Sequence, residues 1–434
     1  VAPEIQGLLG IGALLALIVL RAPIGLALLF VGLGGTWMLH GWRTVEFIGS
    51  TVPVHVLSSG TLAVLPMFLL MGSLAVQTGM ARSLYRAANA FVGHQPGGLA
   101  AGTILAGGGF GAICGSSLAT VTTMTRVSVP EMMRYGYSPR LIAGSVAAGG
   151  TLGILIPPSL LMIIYAYLTE TSVGRLFAAG IIPGLIAIAL YCLAIFVWVK
   201  LRPADGPAQP RVGWGERLHA LKSVVGVLLA FLVVMGGIFV GFFSPSEGAA
   251  IGAASVAAIA AISGNLGFTQ LKAALQDAIQ VSAMIFLMLI GVAFFHYFME
   301  ASRLPAAIVD FFTGIDAPRI YVLLLLIALL LVLGCVLDSI AIVLILTPFL
   351  YPIVIDLGYD LIWFGILMVM VVEIGLMTPP FGINVFVINA LAPKIKLGQA
   401  FIGVLPFVAV DLVRVAMLIA VPAIALWLPG VLFN

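Results

Sequence analysis

The sequence predicts an all-α polytopic membrane protein made of two inverted repeats, each with a re-entrant helical hairpin and a broken transmembrane helix. Three observations predict it. Hydrophobic residues make up 62% of the 434-residue chain and charged residues 8%, with a mean hydropathy of +1.24, whereas soluble domains carry about 25% charge. One stretch recurs at a constant offset of 222 positions: Ser117 falls on Ser339, Ala119 on Ala341, Thr125 on Thr347, Pro130 on Pro352, Gly136-Tyr137 on Gly358-Tyr359, Gly153 on Gly375 and Pro157-Pro158 on Pro379-Pro380. Basic residues flank the first copy and acidic residues the second.

Each element follows from local signals. A span takes about 20 apolar residues, so the chain holds roughly ten spans and two shorter broken segments. Residues 7–20 read as the first span, because Arg21 trails the apolar run instead of leading it as in a secretory leader. Residues 1–199 form the first repeat. Its segment 98–127 is too short for two full spans; two arms of about 14 residues reach roughly 20 Å each and turn back near the bilayer centre. The turn falls at Gly115-Ser116-Ser117, where glycine permits unusual backbone angles. The broken helix, 141–167, is interrupted at GILIPPS (153–159).

Residues 200–222 form a cytoplasmic linker, with Gly206-Pro207 and Pro210 breaking regular structure. Its end, Trp214 to Lys222, fits an amphipathic helix on the leaflet and a plain loop equally. Residues 223–434 form the second repeat. Its hairpin, 320–350, turns at Gly334 to Ser339, with Asp338 replacing Ser116; its broken helix, 361–392, is interrupted at GLMTPPFG (375–382).

Lys and Arg collect in short cytoplasmic loops. The first copy is flanked by Arg82, Arg86, Arg126, Arg134 and Arg140; the second has Arg303 and Arg319 among Glu300, Asp310, Asp316, Asp356 and Asp360. With the linker cations inside, the copies point in opposite directions, the geometry alternating access requires.

A Pro-Pro pair breaks a helix, because proline lacks an N–H and clashes with the preceding turn. The freed carbonyls need a partner, since lipid offers none. A sodium ion bound by several oxygens is one such partner; a packed neighbour or water is the other. Helix N-termini at the breaks favour an anionic substrate. Other classes are excluded. The chain has no GxxxxGK[ST] run for a nucleotide motor, no basic face for nucleic acid and no zinc spacing. Cys114, Cys192 and Cys335 sit in apolar segments as packing residues. No histidine or lysine base lies near Ser116-Ser117 in sequence, so the chain is not read as an enzyme.

GSSLAT (115–120), PEMMRYGYS (130–138), GILIPPS (153–159), GCVLDS (334–339) and GLMTPPFGINVFVI (375–388), with SPSEGAA (244–250) and DLVR (411–414), resemble the large membrane subunit of tripartite ATP-independent periplasmic (TRAP) transporters. The resemblance runs from about Arg21 to Leu428. It implies a multi-pass protein of the bacterial inner membrane that couples sodium to uptake of an organic acid anion, a carboxylate or sulfonate. It also implies an elevator mechanism, in which a transport domain holding both hairpins moves against a fixed scaffold. The implied partners are a small four-helix membrane subunit and a periplasmic substrate-binding protein, with no cofactor besides sodium. A stand-alone carrier of the same superfamily is the alternative, and a passive channel a more distant one.

By resemblance, the sodium ligands come from Gly115, Ser116 and Ser117 with Ile156-Pro157, and from Gly334, Asp338 and Ser339 with Thr378, Pro379 and Gly382, many through backbone carbonyls. The substrate contacts would be Ser117, Thr120, Pro158, Ser159 and Asn384. Asp338, a carboxylate in an apolar segment, reads as a cation ligand ahead of a hairpin cap. Glu373 reads as a packing residue, Asp411 and Arg414 as a structural pair three apart on one helix, and Glu247 as interfacial. Arg126 reads as an orientation charge; His296 and Met368 to Met370 read as packing.

Overall fold

The computed structural model describes residues 2–313 and 318–433 of the chain; Asp316, one of the expected flanking charges, lies outside them. The first half contains α1 (Pro3–Val19), α2 (Ile24–His40), α3 (Trp42–Leu57), α4 (Val64–Gln77), α5 (Met80–Val92), α6 (Gly98–Cys114), α7 (Ser117–Arg134), α8 (Pro139–Leu155), α9 (Leu160–Thr169) and α10 (Val173–Leu201). The second contains α11 (Trp214–Val240), α12 (Pro245–Ile262), α13 (Phe268–Ala301), α14 (Leu304–Thr313), α15 (Arg319–Gly334), α16 (Ser339–Asp356), α17 (Leu361–Met377), α18 (Ile383–Leu391), α19 (Leu397–Ala420) and α20 (Ala423–Leu432). The described residues contain no strand.

Helix ends repeat the sequence offset. Helices α7 and α16 start and stop 222 residues apart, as do α8 and α17. The reason is chemical: each start is fixed by a capping side chain at a matching position. Ser116 accepts from the Ala119 N–H and Asp338 from the Ile340 N–H; Ser138 and Asp360 cap α8 and α17 in the same way. Each Pro-Pro pair ends its helix, and both Pro157-Pro158 and Pro379-Pro380 are cis.

Three elements differ from expectation. The hairpin arms α6 and α7 have 17 and 18 residues and run on to Arg134. Arg126 does not end α7, because its side chain is exposed while Val129 and Met132 beyond it are buried, and Pro130 is accommodated inside the helix. Trp214 to Lys222 forms neither a separate surface helix nor a loop; it is the first part of α11. There Arg217 lies 5.0 Å from the Trp214 ring and 5.9 Å from the Phe91 ring, tying α11 to α5. Among the described residues, seven spans are long and apolar enough to cross a membrane, α8 and α9 counting together as one, or eight with α4 and α5 taken as one span bent by 66°. That is fewer than the sequence reading allows, because hairpin arms and broken pieces are among the apolar helices of 10–17 residues.

The loops before α8 and α17 lie at opposite poles, one near each end of α10. At the C-terminal end of α10, the Ser138 N–H donates to the Asp205 carbonyl and the Gly97 N–H to the Gly206 carbonyl, so the linker sits on the loops before α6 and α8. Trp198 Nε1 donates to Asp205 Oδ2 at 2.8 Å, fixing α10 to the same loop. At the other end of α10, Tyr165 donates its hydroxyl to the Leu361 carbonyl at 2.8 Å, beside the loop before α17. About 43 Å of helix separates these poles at 1.5 Å per residue.

The halves are interleaved. Helix α2 packs on α13 and α4 on α12; α8 packs on α19 and α10 on α17; α7 packs on α18 and α9 on α16. Within each half, the hairpin and its broken helix approach backbone to backbone. A Cβ added at Gly111 would lie 2.4 Å from Gly153 Cα, and one at Gly375 would lie 2.4 Å from the Gly334 carbonyl carbon.

Candidate substrate and cation site

The first hairpin tip is built by three consecutive residues with different backbone tasks. Gly115 ends α6 at φ +65, Ser116 takes an extended conformation as the cap of α7, and Ser117 opens that helix. The tip faces the first break. A Cβ at Gly115 would meet the Pro158 carbonyl at 2.8 Å, and the Leu160 N–H donates to the Gly115 carbonyl at 3.4 Å. Thr120 donates to the Ser116 carbonyl at 2.8 Å and lies against Gly153. Ile156 closes α8 in an extended conformation, and Ser159 caps α9 from a buried position. Prolines at 157 and 158 remove the N–H groups that the carbonyls of Gly153 and Ile154 would accept from four residues on.

A residue from the other half completes this corner. Asn384, on the first turn of α18, donates from Nδ2 to Ser117 Oγ at 3.0 Å. It is fully buried, and its Oδ1 has no hydrogen-bond partner among the described residues. The N-termini of α7 and α18 therefore meet, bringing hydroxyl, amide and free backbone N–H groups to one point. Such a meeting of helix starts suits an anion.

The second tip is looser. Gly334 touches Gly375, while Asp338 is half-buried and caps its own helix at 3.1 Å. Ser339 is buried at the start of α16. Thr378 donates to the Ile374 carbonyl within its own helix at 2.6 Å, and Gly382 opens α18 at φ +39. Residues Pro379 to Phe381 are exposed, whereas Pro157 to Ser159 are buried. The asymmetry has a local cause: α4, α11 and α12 cover the first break, where Met71, Phe231 and Val256 surround Pro158.

Two polar contacts between helices escape a reading of the sequence. Asp277 on α13 accepts a hydrogen bond from Ser73 of α4, tying these two helices together. The signal was present, an acid within a long apolar segment. Tyr191 of α10 donates to both oxygens of Asp411, which also pairs with Arg414; a tyrosine in an apolar helix carries no comparable signal. His296, expected to be packing, lines a cavity of about 360 Å³ between α3, α9, α13 and α16 with His55, Tyr167, Glu170 and Tyr351. Glu247 forms a capping box with Ser244 at the start of α12.

The family described as "Tripartite ATP-independent periplasmic transporter, DctM component" matches residues 11–424, nearly the full length. The chain belongs to this family. It is therefore the large membrane subunit of a TRAP transporter, a multi-pass membrane protein. It is 37% identical over 371 residues to the C4-dicarboxylate TRAP transporter large permease of Pseudomonas aeruginosa, covering 85% of this chain and 86% of that one. It is 30% identical over 420 residues to the sialic acid TRAP transporter large permease of Vibrio cholerae, covering 96% of each. These relatives are transporter permeases, not enzymes. The crystal structure of the YdaH transporter from Alcanivorax borkumensis shares the fold, with a TM-score of 0.67 at 16% identity over 96% of this chain and 98% of that one.

Proposed function

We propose that this TRAP subunit carries out sodium-coupled uptake of an organic acid anion across the bacterial inner membrane. A periplasmic binding protein delivers the substrate, and a small four-helix subunit completes the membrane unit. The observation that carries this reading is the Ser117–Asn384 contact, which joins a hairpin tip of one half to the broken helix of the other at meeting helix N-termini. A carboxylate or sulfonate fits those donors. The relatives named for C4-dicarboxylates and sialic acid support a carboxylate cargo. Around it, the backbone at Ile156-Pro157 and at Thr378-Pro379, with Ser116, Ser117, Asp338 and the Thr378 hydroxyl, supplies oxygen ligands of the kind that hold sodium in broken-helix transporters. Loops before α8 and α17 at opposite poles support an inverted arrangement and, with it, an elevator movement of the hairpins and broken helices against α2, α4, α12 and α13.

The test is uptake into proteoliposomes holding both membrane subunits, with the binding protein outside. Uptake is expected to require an inward sodium gradient; full uptake with choline in place of sodium would reject the coupling. Uptake without the binding protein would make this a stand-alone carrier. Asp338→Asn is expected to raise the half-saturating sodium concentration roughly tenfold, about 1.4 kcal/mol, with unchanged expression; wild-type sodium affinity would remove Asp338 from the site. Asn384→Ala is expected to cut substrate uptake by about tenfold, the cost of a lost buried polar contact of about 1–2 kcal/mol, and to leave the sodium response in place. Measuring both curves in each variant separates the two roles.

A further inference from the structure

Away from the hairpin tips, a buried charged cluster lies where the two halves interleave, and the transport reading gives it no task. Asp411 and Arg414, on one face of α19, pair with each other. Tyr191 donates to Asp411 at 2.6 and 2.7 Å, accepts from Arg414 Nη1 at 3.3 Å and lies 3.4 Å from the Thr151 hydroxyl. Glu373, on α17, is the second carboxylate. It is 3% exposed, and its charged neighbours are Arg414 and Asp411. Two buried carboxylates thus lie near one guanidinium, which pairs with only one of them, Asp411.

Their hydrogen bonding is unequal. Asp411 is bonded on both oxygens, whereas Glu373 Oε1 has no hydrogen-bond partner among the described residues. Arg414 has two unused donors, Nε and Nη2. An ionised carboxylate left buried without a partner costs several kcal/mol. A protonated carboxyl there is far cheaper. The unused N–H groups of Arg414 nevertheless offer the ionised form a charge-assisted bond. A small void of about 10 Å³, lined by Arg414, Met370 and Met417, gives side chains or one water room to rearrange. Met370 is one turn before Glu373, and five residues after it α17 reaches the exposed break.

Among the described residues, no other charge faces Glu373. Of the helices packed on α17, α19 presents Asp411 and Arg414 and α10 presents Tyr191. Helices α18 and α20 hold no ionisable residue, and α9 holds only Tyr165 and Tyr167. The ionisable groups of α8 (Arg140), α15 (Arg319, Tyr321) and α16 (Tyr351, Asp356) lie toward helix ends remote from Glu373.

We propose that Glu373 is a reversible proton site. Its loaded form is a neutral carboxyl, and its unloaded form is a carboxylate paired with the free N–H groups of Arg414. The only bond made or broken is the O–H bond of Glu373, its proton exchanging with water through the break of α17. The site takes a proton as its ligand and is separate from the sodium and substrate positions.

Infrared titration of the purified protein tests this. The carbonyl stretch of a protonated carboxylic acid is followed from about pH 5 to about pH 9, a range a buried carboxyl reaches. A component that fades as pH rises, and that Glu373→Gln abolishes, is the expected result. Absence of any fading component in the wild type would overturn the proposal, as would its persistence in Glu373→Gln, which would give the proton to another acid such as Asp338. If Glu373→Gln yields no monodisperse protein, Glu373→Asp replaces it. The band is then expected to shift, and an unshifted band overturns the assignment. The measurement needs no transport, so its outcome is independent of the sodium-coupled reading.

Discussion

Arg414→Ala is expected to destabilise the folded protein by about 3–5 kcal/mol, the cost of leaving a buried carboxylate without its counter-charge. Asp411 and Arg414 are 3% and 4% exposed, and the guanidinium also reaches the Tyr191 hydroxyl. Removing it leaves Asp411 with only the tyrosine donor and enlarges the adjoining void. The loss should appear as a lower unfolding temperature in detergent and a smaller monodisperse fraction. Removing both charges tests the mechanism. A shape-matched apolar pair, Asp411→Leu with Arg414→Met, is expected to recover most of the loss, since replacing a buried pair by apolar residues is often neutral. A double variant as unstable as Arg414→Ala would show that packing, not the unpaired charge, sets the cost.

Gly375→Leu is expected to abolish the folded protein altogether. A Cβ there would sit within 2.7 Å of three backbone atoms of Gly334, and neither backbone can withdraw without pulling α15 from α17. Gly111→Leu meets the equivalent obstruction at Gly153. Interiors packed to crystal density cannot absorb such an insertion. Gly236, on α11, provides the control, because a Cβ there meets nothing within 4 Å. Gly236→Ala should express and unfold like the wild type. Size-exclusion profiles of the three variants decide the matter; a monodisperse Gly375→Leu would show that the hairpin and broken helix are not held at this distance.

Much of the fold could be read from the chain because its punctuation is local. Pro-Pro pairs, Ser and Asp caps and apolar runs act within a few residues, so the ends of α7, α8, α16 and α17 follow from them. Misreadings arose where a local signal was overruled by packing. Arg126 resembles a boundary charge, yet α7 continues because its other face is buried. The arms of the first hairpin are accordingly longer than expected. Trp214 to Lys222 looks like a surface segment but is held by Arg217 against Phe91 and extends into α11.

The candidate site was legible in part. The sequence reading sets the first tip beside the first break, and in the structure Gly115 approaches the Pro158 carbonyl. Asn384 was placed one turn past its break, but its partner Ser117 lies 267 residues away, and no spacing rule spans that distance. The unequal covering of the two breaks was invisible, because it depends on which helices lie over each of them. Asp338 caps α16 as Ser116 caps α7; whether it also binds sodium is the question its asparagine variant answers.

The Ser117–Asn384 contact has a consequence for how such a protein can be assembled. Neither half of the polypeptide owns a whole pocket wall, so a fragment ending in the 206–212 connector would expose a donor-lined notch to lipid. Co-expressed fragments should regain that wall only by docking with each other.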